Sequence, residues 1–310
     1  MSEHALPAPL TGVIPPLLTP LLDRDRLDVA GLEKLIERVL AGGVHGLFLL
    51  GTTGEGPALS YGLRHEFVER ACRLVAGRVP VLVGITDSSF VESVRLAEHA
   101  QDAGAQAVVL AAPYYFPIDQ HELRQYVRNI AAELPLPIFL YNMPSHTKVA
   151  FDLDTVGAAL ELPNVVGMKD SSGSMIYFHQ LQQVMAQRPD TTLLIGPEEL
   201  LGEAVLLGAH GGVSGGANLA PRLYVDVYEA ARRQDVARVR VLQERVWAIS
   251  RNIYPFGVHR GLKCALSCLG VCNDFPAEPY HRLGDRDRQT IQEHLAALGL
   301  LTEQPVTTSV

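Results

Sequence analysis

Cysteine is scarce in this chain: Cys72, Cys264, Cys268 and Cys272 are the four present in 310 residues. That is too few to staple a fold of this length. The last three, spaced four apart in CALSCLGVC, are expected along one helical stripe as reduced, buried thiols of a cytoplasmic protein. A zinc site would need further ligands that their neighbourhood does not offer. Positive charge is also in deficit, with 26 Lys+Arg against 34 Asp+Glu and a formal net charge of −8. Broad basic surfaces for nucleic acid or anionic membrane are therefore excluded, and an anionic small molecule must be held by local dipoles and a few cations. No uninterrupted apolar run approaches the roughly twenty residues of a membrane span. The opening MSEHALPAPL lacks the basic start and apolar centre of a signal peptide. Also missing are a GxGxxG turn after the first strand candidate, internal repeats, and an HExxH among the eleven histidines, since His65 and His121 have no second histidine in register. These absences argue against a dinucleotide-binding sheet, a solenoid and a metal-dependent aldolase.

What is present is alternation. Eight short apolar runs, GVIPPLLTP, GLFLLGTTGE, VPVLVGI, AQAVVLAAPYY, LPIFLYNMP, NVVGMKD, TTLLIGPEE and HGGVSGG, are separated by amphipathic stretches. Those stretches read as helices from Asp28 to Ala41, near Ser60, from Ser89 to Ala103, after Asp119, Asp152 and Ser174, and near Leu200. Runs that are apolar throughout, instead of alternating, are strands covered on both faces. The pattern predicts an α/β fold, a closed (β/α)8 TIM barrel over residues 1–220, with a doubly wound open sheet as the alternative. From Pro221 the chain reads as a C-terminal helical extension, 221–310, with a polar tail from Thr302 to Val310.

In such barrels chemistry sits at the C-terminal ends of strands and in the loops after them. Gly51, Thr52 and Thr53 follow the second run, Tyr114 and Tyr115 the fourth, and Tyr141 and Asn142 the fifth. Lys169 and Asp170 end the sixth, Glu198 and Glu199 the seventh, and Gly211 to Gly216 the eighth. A strand ending on lysine is usually a snorkelling surface residue. In a dry pocket, however, desolvation would draw an amine from about 10.4 towards roughly 7–8, leaving a nucleophile for a carbonyl. The resulting imine accepts electrons from the adjacent carbon, so a carbon–carbon bond can be made or broken without a metal. Tyr141 is the best-placed phenol for the proton transfers. Thr52 and Thr53, set between glycines, offer hydroxyls and backbone N–H groups to a carboxylate. The glycines at the eighth strand, Gly215 among them, are expected to let substrate lie against backbone, since no lysine or arginine adjoins them for a phosphate. Arg260 and Lys263 read as an ordinary charged helix face.

Together these segments resemble the dihydrodipicolinate synthase / N-acetylneuraminate lyase family of pyruvate-dependent class I aldolases. The likeness runs from GVIPPLLTP to the helical C-terminus. GTTGE is similar to the family's G-[ST]-T-G-E, YNMP to its Y-N-x-P, and GMKDSSG to its G-x-K-[DE] segment. The resemblance implies a (β/α)8 lyase with Lys169 as Schiff-base lysine and Tyr141 as proton relay. Thr52 and Thr53 would hold the pyruvate carboxylate beside Gly51. Tyr115 would be lent across a tight dimer interface within a homotetramer of paired dimers. The substrate is then held covalently on Lys169, with no cofactor and no metal.

Two departures bear on the substrate. Synthases of this family carry an arginine in Y-N-x-P-S-R-T that binds the second substrate's carboxylate; here His146 takes its place. A weakly charged imidazole is a poor substitute for a bidentate guanidinium. The IGPEE segment aligns with the lyase branch, placing Glu198 and Glu199 where acids read sugar hydroxyls, with Ser171 nearby. The expected substrate is thus pyruvate or a hydroxylated 2-oxo acid of the keto-deoxy sugar acid or 4-hydroxy-2-oxoglutarate type. The alternatives are 4-hydroxy-tetrahydrodipicolinate synthase, a keto-deoxy sugar-acid dehydratase, and a barrel that binds pyruvate without turnover.

Overall fold

The structure, a computed structural model, describes residues 6–301; the polar tail from Thr302 lies outside the described residues. Helix starts follow local chemistry. Asp28, Ser60, Ser89, Asp119, Asp152 and Ser174 each cap a helix by accepting a backbone N–H three residues on, satisfying a donor that the first turn leaves unpaired. They open α1 (Val29–Ala41), α2 (Tyr61–Val75), α3 (Phe90–Asp102), α4 (Gln120–Glu133), α6 (Leu153–Leu160) and α7 (Met175–Met185); a short α5 (Pro144–Thr147) precedes α6.

Between the helices run parallel strands: β1 (Gly12–Val13), β4 (Leu47–Leu49), β5 (Val81–Gly84), β6 (Ala107–Ala111), β7 (Ile138–Asn142), β8 (Val165–Asp170), β9 (Thr192–Ile195) and β10 (Gly211–Gly212). They form one 8-stranded sheet in the order β1-β10-β9-β8-β7-β6-β5-β4. The remaining seam, β1 to β4, is closed by a parallel bridge between Pro16 and Phe48. Phe48 N–H donates to the Pro15 carbonyl at 2.9 Å, and Leu17 N–H donates to the Phe48 carbonyl at 2.8 Å. Prolines at 15 and 16 cannot donate to a ladder, and β1 is 2 residues long. The fold is the expected (β/α)8 barrel. A small antiparallel hairpin, β2 (Leu21–Asp23) with β3 (Arg26–Leu27), was not read from the sequence and sits between β1 and α1.

Apolar packing falls into two shells. Ile14, Phe48, Leu82, Val109, Phe139 and Leu194 fill the barrel interior, while a larger cluster lies between strands and helices. This two-sided burial is what the continuous apolar runs reflect. After β9 come α8 (Leu201–Leu206) and, after β10, α9 (Pro221–Arg232), which packs on α8 and β1. The division at residue 220 thus passes between the eighth strand and its own helix. Then follow α10 (Val236–Ile253), α11 (Val258–Cys268) and α12 (Asp285–Ala297). Because α11 ends at Cys268 and Gly270 turns the chain at φ 67, Cys272 leaves the helical stripe expected for it; only Cys264 and Cys268 share a helix. No described helix is long and apolar enough to cross a membrane.

Candidate active site

Strand register brings the central pair together. Tyr141 of β7 and Lys169 of β8 are direct neighbours in the parallel ladder, and both point into the barrel at its C-terminal end, Tyr141 as part of the interior cluster. Lys169 is 6% exposed. Its Nζ lies 3.9 Å from the centre of the Tyr141 ring and 5.2 Å from that of Phe48. An amine on two aromatic faces is held by their quadrupoles and shielded from water.

Tyr141 Oη is 3.4 Å from Thr52 Oγ1. Burial pushes the phenol up, but the Lys169 ammonium, with polar contacts from Thr52, Lys169 and Ser171, outweighs it and brings Tyr141 below its ordinary value. That suits a group that must give up and recover a proton. Behind the pair, buried Asp170 accepts from Asn142 Nδ2 at 2.8 Å and from Ser172 Oγ at 2.8 Å. Burial raises its carboxyl, opposed by these bonds, and the cluster fixes the strand end that presents Lys169.

Lys169, Ser171, Thr52, Thr53, His146 and Glu199 line one cavity of about 460 Å³, and Gly215 forms part of its wall. A Cβ at Gly215 would stand in ordinary contact 3.4 Å from Tyr254 Oη and 3.5 Å from Thr53 Oγ1, which places this backbone directly beside the threonine hydroxyl. Gly51 is fixed by the close approach of Phe48, whose ring would lie 2.7 Å from a Cβ at that position. Thr52, Tyr141 and His146 also border a second, more apolar lobe of about 320 Å³ lined by Tyr114.

The other expected residues divide. His146 stands at the mouth, where burial and then the charges of Lys148 and Lys169 lower its pKa; it is a neutral imidazole at pH 7. Glu198 is buried, and both of its oxygens are engaged: Tyr224 and Tyr254 donate to Oε1 at 2.5 Å each, and Gly216 N–H to Oε2 at 2.8 Å. Burial pushes its carboxyl up to about 7 despite these bonds. Any substrate hydroxyl would compete with three donors already in place. Tyr115 is not brought to the cavity within this chain; it is 76% exposed.

Sequence reasoning missed several neighbours. Phe48 looked like plain core. Lys263, read as a helix face, is fully buried and ion-paired with Glu55 of GTTGE, and donates to the Phe275 carbonyl at 2.9 Å. Glu55 also accepts from Ala277 N–H at 2.7 Å. His259, Arg260 and Tyr280 border the main cavity; only long-range folding places them there, and no local signal marks them.

A parallel barrel with a shielded lysine, phenol and threonine at the C-terminal mouth defines a class of enzyme, the barrel lyases. Comparison with known proteins gives the family: a model of the dihydrodipicolinate synthetase family matches residues 9–298. The chain is similar to dihydrodipicolinate synthase from Bacteroides thetaiotaomicron, with 53% identity over 94% of this chain and 99% of that one, at a TM-score of 0.91. A prophage protein of the dihydrodipicolinic acid synthase family from E. coli K12, in complex with pyruvate, is 30% identical, covering 94% and 99% of the two chains at a TM-score of 0.87. An uncharacterized DapA-like lyase of Halobacterium salinarum is 35% identical over 97% of this chain and 100% of its own. The chain belongs to the dihydrodipicolinate synthetase family and is a carbon–carbon lyase.

Proposed function

We propose that the chain is a Schiff-base lyase acting on pyruvate or a hydroxylated 2-oxo acid. Lys169 attacks the C2 carbonyl and water leaves, giving an imine. For cleavage, Tyr141, in contact with Thr52, accepts the proton of the C4 hydroxyl. The C3–C4 electron pair moves into the iminium, an aldehyde departs, and the enamine is protonated at C3. Water then releases pyruvate and restores the amine. Run backwards, the same steps condense pyruvate with an aldehyde. Thr52 and Thr53 hold the C1 carboxylate by hydroxyl and backbone N–H.

The carrying observation is the Lys169–Tyr141–Thr52 line, 3.9 Å from amine to ring centre and 3.4 Å from phenol to threonine. Hydroxylated substrates are favoured by the neutral His146 at the mouth, which can hydrogen-bond a hydroxyl but cannot balance a carboxylate. Glu199 and Ser171 supply further acceptors and donors on that wall. The second reading, 4-hydroxy-tetrahydrodipicolinate synthase, is favoured by the names of relatives, such as that of Methanopyrus kandleri at 33% identity. A dehydratase would use the same imine to expel water. A homotetramer of paired dimers completes the proposal, with Tyr115 of one chain reaching the neighbour's Thr52.

Borohydride reduction in the presence of pyruvate, read by intact mass, is expected to add one pyruvyl group to the wild type and none to Lys169→Ala. No adduct, or an adduct that persists in the variant, refutes the imine. Turnover of aspartate semialdehyde with pyruvate, set against a panel of hydroxylated 2-oxo acids, then separates the two readings.

A further inference from the structure

The alternation that turns Tyr141 and Lys169 into the barrel turns their chain neighbours, Asn142 and Asp170, to the outer face of the sheet. Asn142 and Asp170 are also direct partners in the β7–β8 ladder, and both are buried. Buried amides and carboxylates are costly unless their polar atoms are met. Here they meet each other. Asn142 Nδ2 donates to Asp170 Oδ1 at 2.8 Å, while Asn142 Oδ1 accepts the Phe151 N–H at 3.1 Å. Asp170 further accepts the Ser172 N–H at 3.1 Å and Ser172 Oγ at 2.8 Å. The backbone carries the tie onward: the Asn142 carbonyl accepts the Ser171 N–H at 2.8 Å, and the Asp170 carbonyl accepts the Gly196 N–H at 2.7 Å. Through this pair the ends of β7, β8 and β9 are held to one another. The bond to Phe151 also closes the segment 143–150, which contains α5 and His146, into a loop fastened at both ends. Contacts on the inner face are looser, since the Lys169 amine rests on aromatic rings and Tyr141 Oη meets Thr52 Oγ1 at 3.4 Å.

We propose that Asn142 is a positioning residue for imine formation: from behind the sheet its amide sets the spacing of Lys169 and Tyr141, and it anchors the loop that carries His146. The inference rests on the imine reading. Only an amide meets both demands, donating to a carboxylate at one end and accepting a backbone N–H at the other. An acid at position 142 could still accept from Phe151, but it would face the Asp170 carboxylate. Two carboxylates so close must share one proton or move apart. Burial already raises the Asp170 carboxyl, so the shared proton is taken up as pH falls. The other titratable groups on this side are Tyr177 of α7 and Asp152, which caps α6. Burial, Asp170 and Asp152 all raise the Tyr177 phenol, and its hydroxyl donates to the Phe151 carbonyl at 2.7 Å. It therefore stays neutral across the range in which an acid pair would titrate.

Time-resolved borohydride quenching with pyruvate, read by intact mass, gives the rate of imine formation and the pyruvate concentration at half-maximal rate. Both are measured at pH 6 and pH 8 for the wild type, Asn142→Ala, Asn142→Asp, and Asn142→Asp combined with Asp170→Asn. Asn142→Ala is expected to be slower than the wild type by about tenfold or more at both pH values, the scale on which misplaced reacting groups act. Its half-saturation stays close to that of the wild type, because Thr52 and Thr53, in the turn after β4, hold the carboxylate. Asn142→Asp is expected to be as slow at pH 8 but to recover towards the wild-type rate at pH 6, where the shared proton restores a donor. The double variant, with one charge and one amide across the strands again, recovers at pH 8. A role in stability alone would lower the unfolding midpoint without this pH-linked return of rate. Wild-type speed in Asn142→Ala overturns the proposal. So does a loss confined to half-saturation, or an Asn142→Asp rate that stands in the same ratio to the wild type at both pH values. Should the single variants not fold, a folded double variant that remains slow at pH 8 overturns it as well. No adduct in the wild type sinks the imine reading and this proposal together, an outcome distinct from normal wild-type trapping with indifferent variants.

Discussion

Lys169 was legible because a charge at the end of an otherwise apolar strand violates ordinary burial, and the register of β8 against β7 explains it. Arg260 obeys its local pattern as a polar residue on an amphipathic helix, so only the folded neighbourhood sets it apart. Glu198 falls between the two. Its position after the seventh strand was readable, but not its clamp by Tyr224, Tyr254 and Gly216. The clamp has a measurable consequence. With a folded pKa raised from 4.5 to about 7, the native state keeps a proton that the unfolded chain has released. The contribution to stability is therefore fully present below pH 4.5 and is lost as pH rises through about 7. Unfolding free energies from urea titrations between pH 5 and 8 are expected to decline in the wild type by an amount on the order of 2–3 kcal/mol. Glu198→Gln, whatever its own stability, is expected to flatten that slope; an unchanged slope would assign the titration elsewhere.

At the scale of elements, the capping residues announced most helix starts, because an N-cap needs only its own next turn. The ties between distant elements were not announced. Glu55, at φ 58 in the turn after β4, meets Lys263 of α11 from over two hundred residues away. The same pair anchors the segment at Phe275 and Ala277. GTTGE is thus both a candidate carboxylate cradle and the clasp of the helical extension. Removing one partner of such a pair strands a buried charge. Lys263→Met is expected to lower stability by about 3–5 kcal/mol, and Glu55→Gln in the same chain to recover part of it. Chemical denaturation of the two single variants and the double variant gives the coupling; purely additive losses would argue that the pair does not act as a unit.

For the whole molecule, eight strands between helices were visible in the sequence, because closed barrels impose the same two-sided burial on every strand. Assembly is where a single chain falls short. Tyr115 and Phe116 stand 76% and 71% exposed, in the middle of the loop between β6 and α4 whose Tyr114 borders the apolar lobe. If Tyr115 serves the neighbouring chain, inactive Lys169→Ala and Tyr115→Phe proteins refolded together should regain about one quarter of wild-type turnover, since half of the dimers are mixed and each has one intact site. No recovery would place Tyr115 outside the chemistry.

Phe48 links this assembled site to the history of the chain. Its backbone closes the last seam of the barrel at Pro16, and its ring is one of the two faces on which Lys169 rests. The amine is therefore sheltered only once residues near the start of the chain have met the second parallel strand. With the later strands paired but this seam open, Lys169 would lack one of the two aromatic faces that shelter it. Completion of the cylinder and completion of the lysine's shelter are one event, so the first strands of the chain and the environment of a residue far along it stand or fall together.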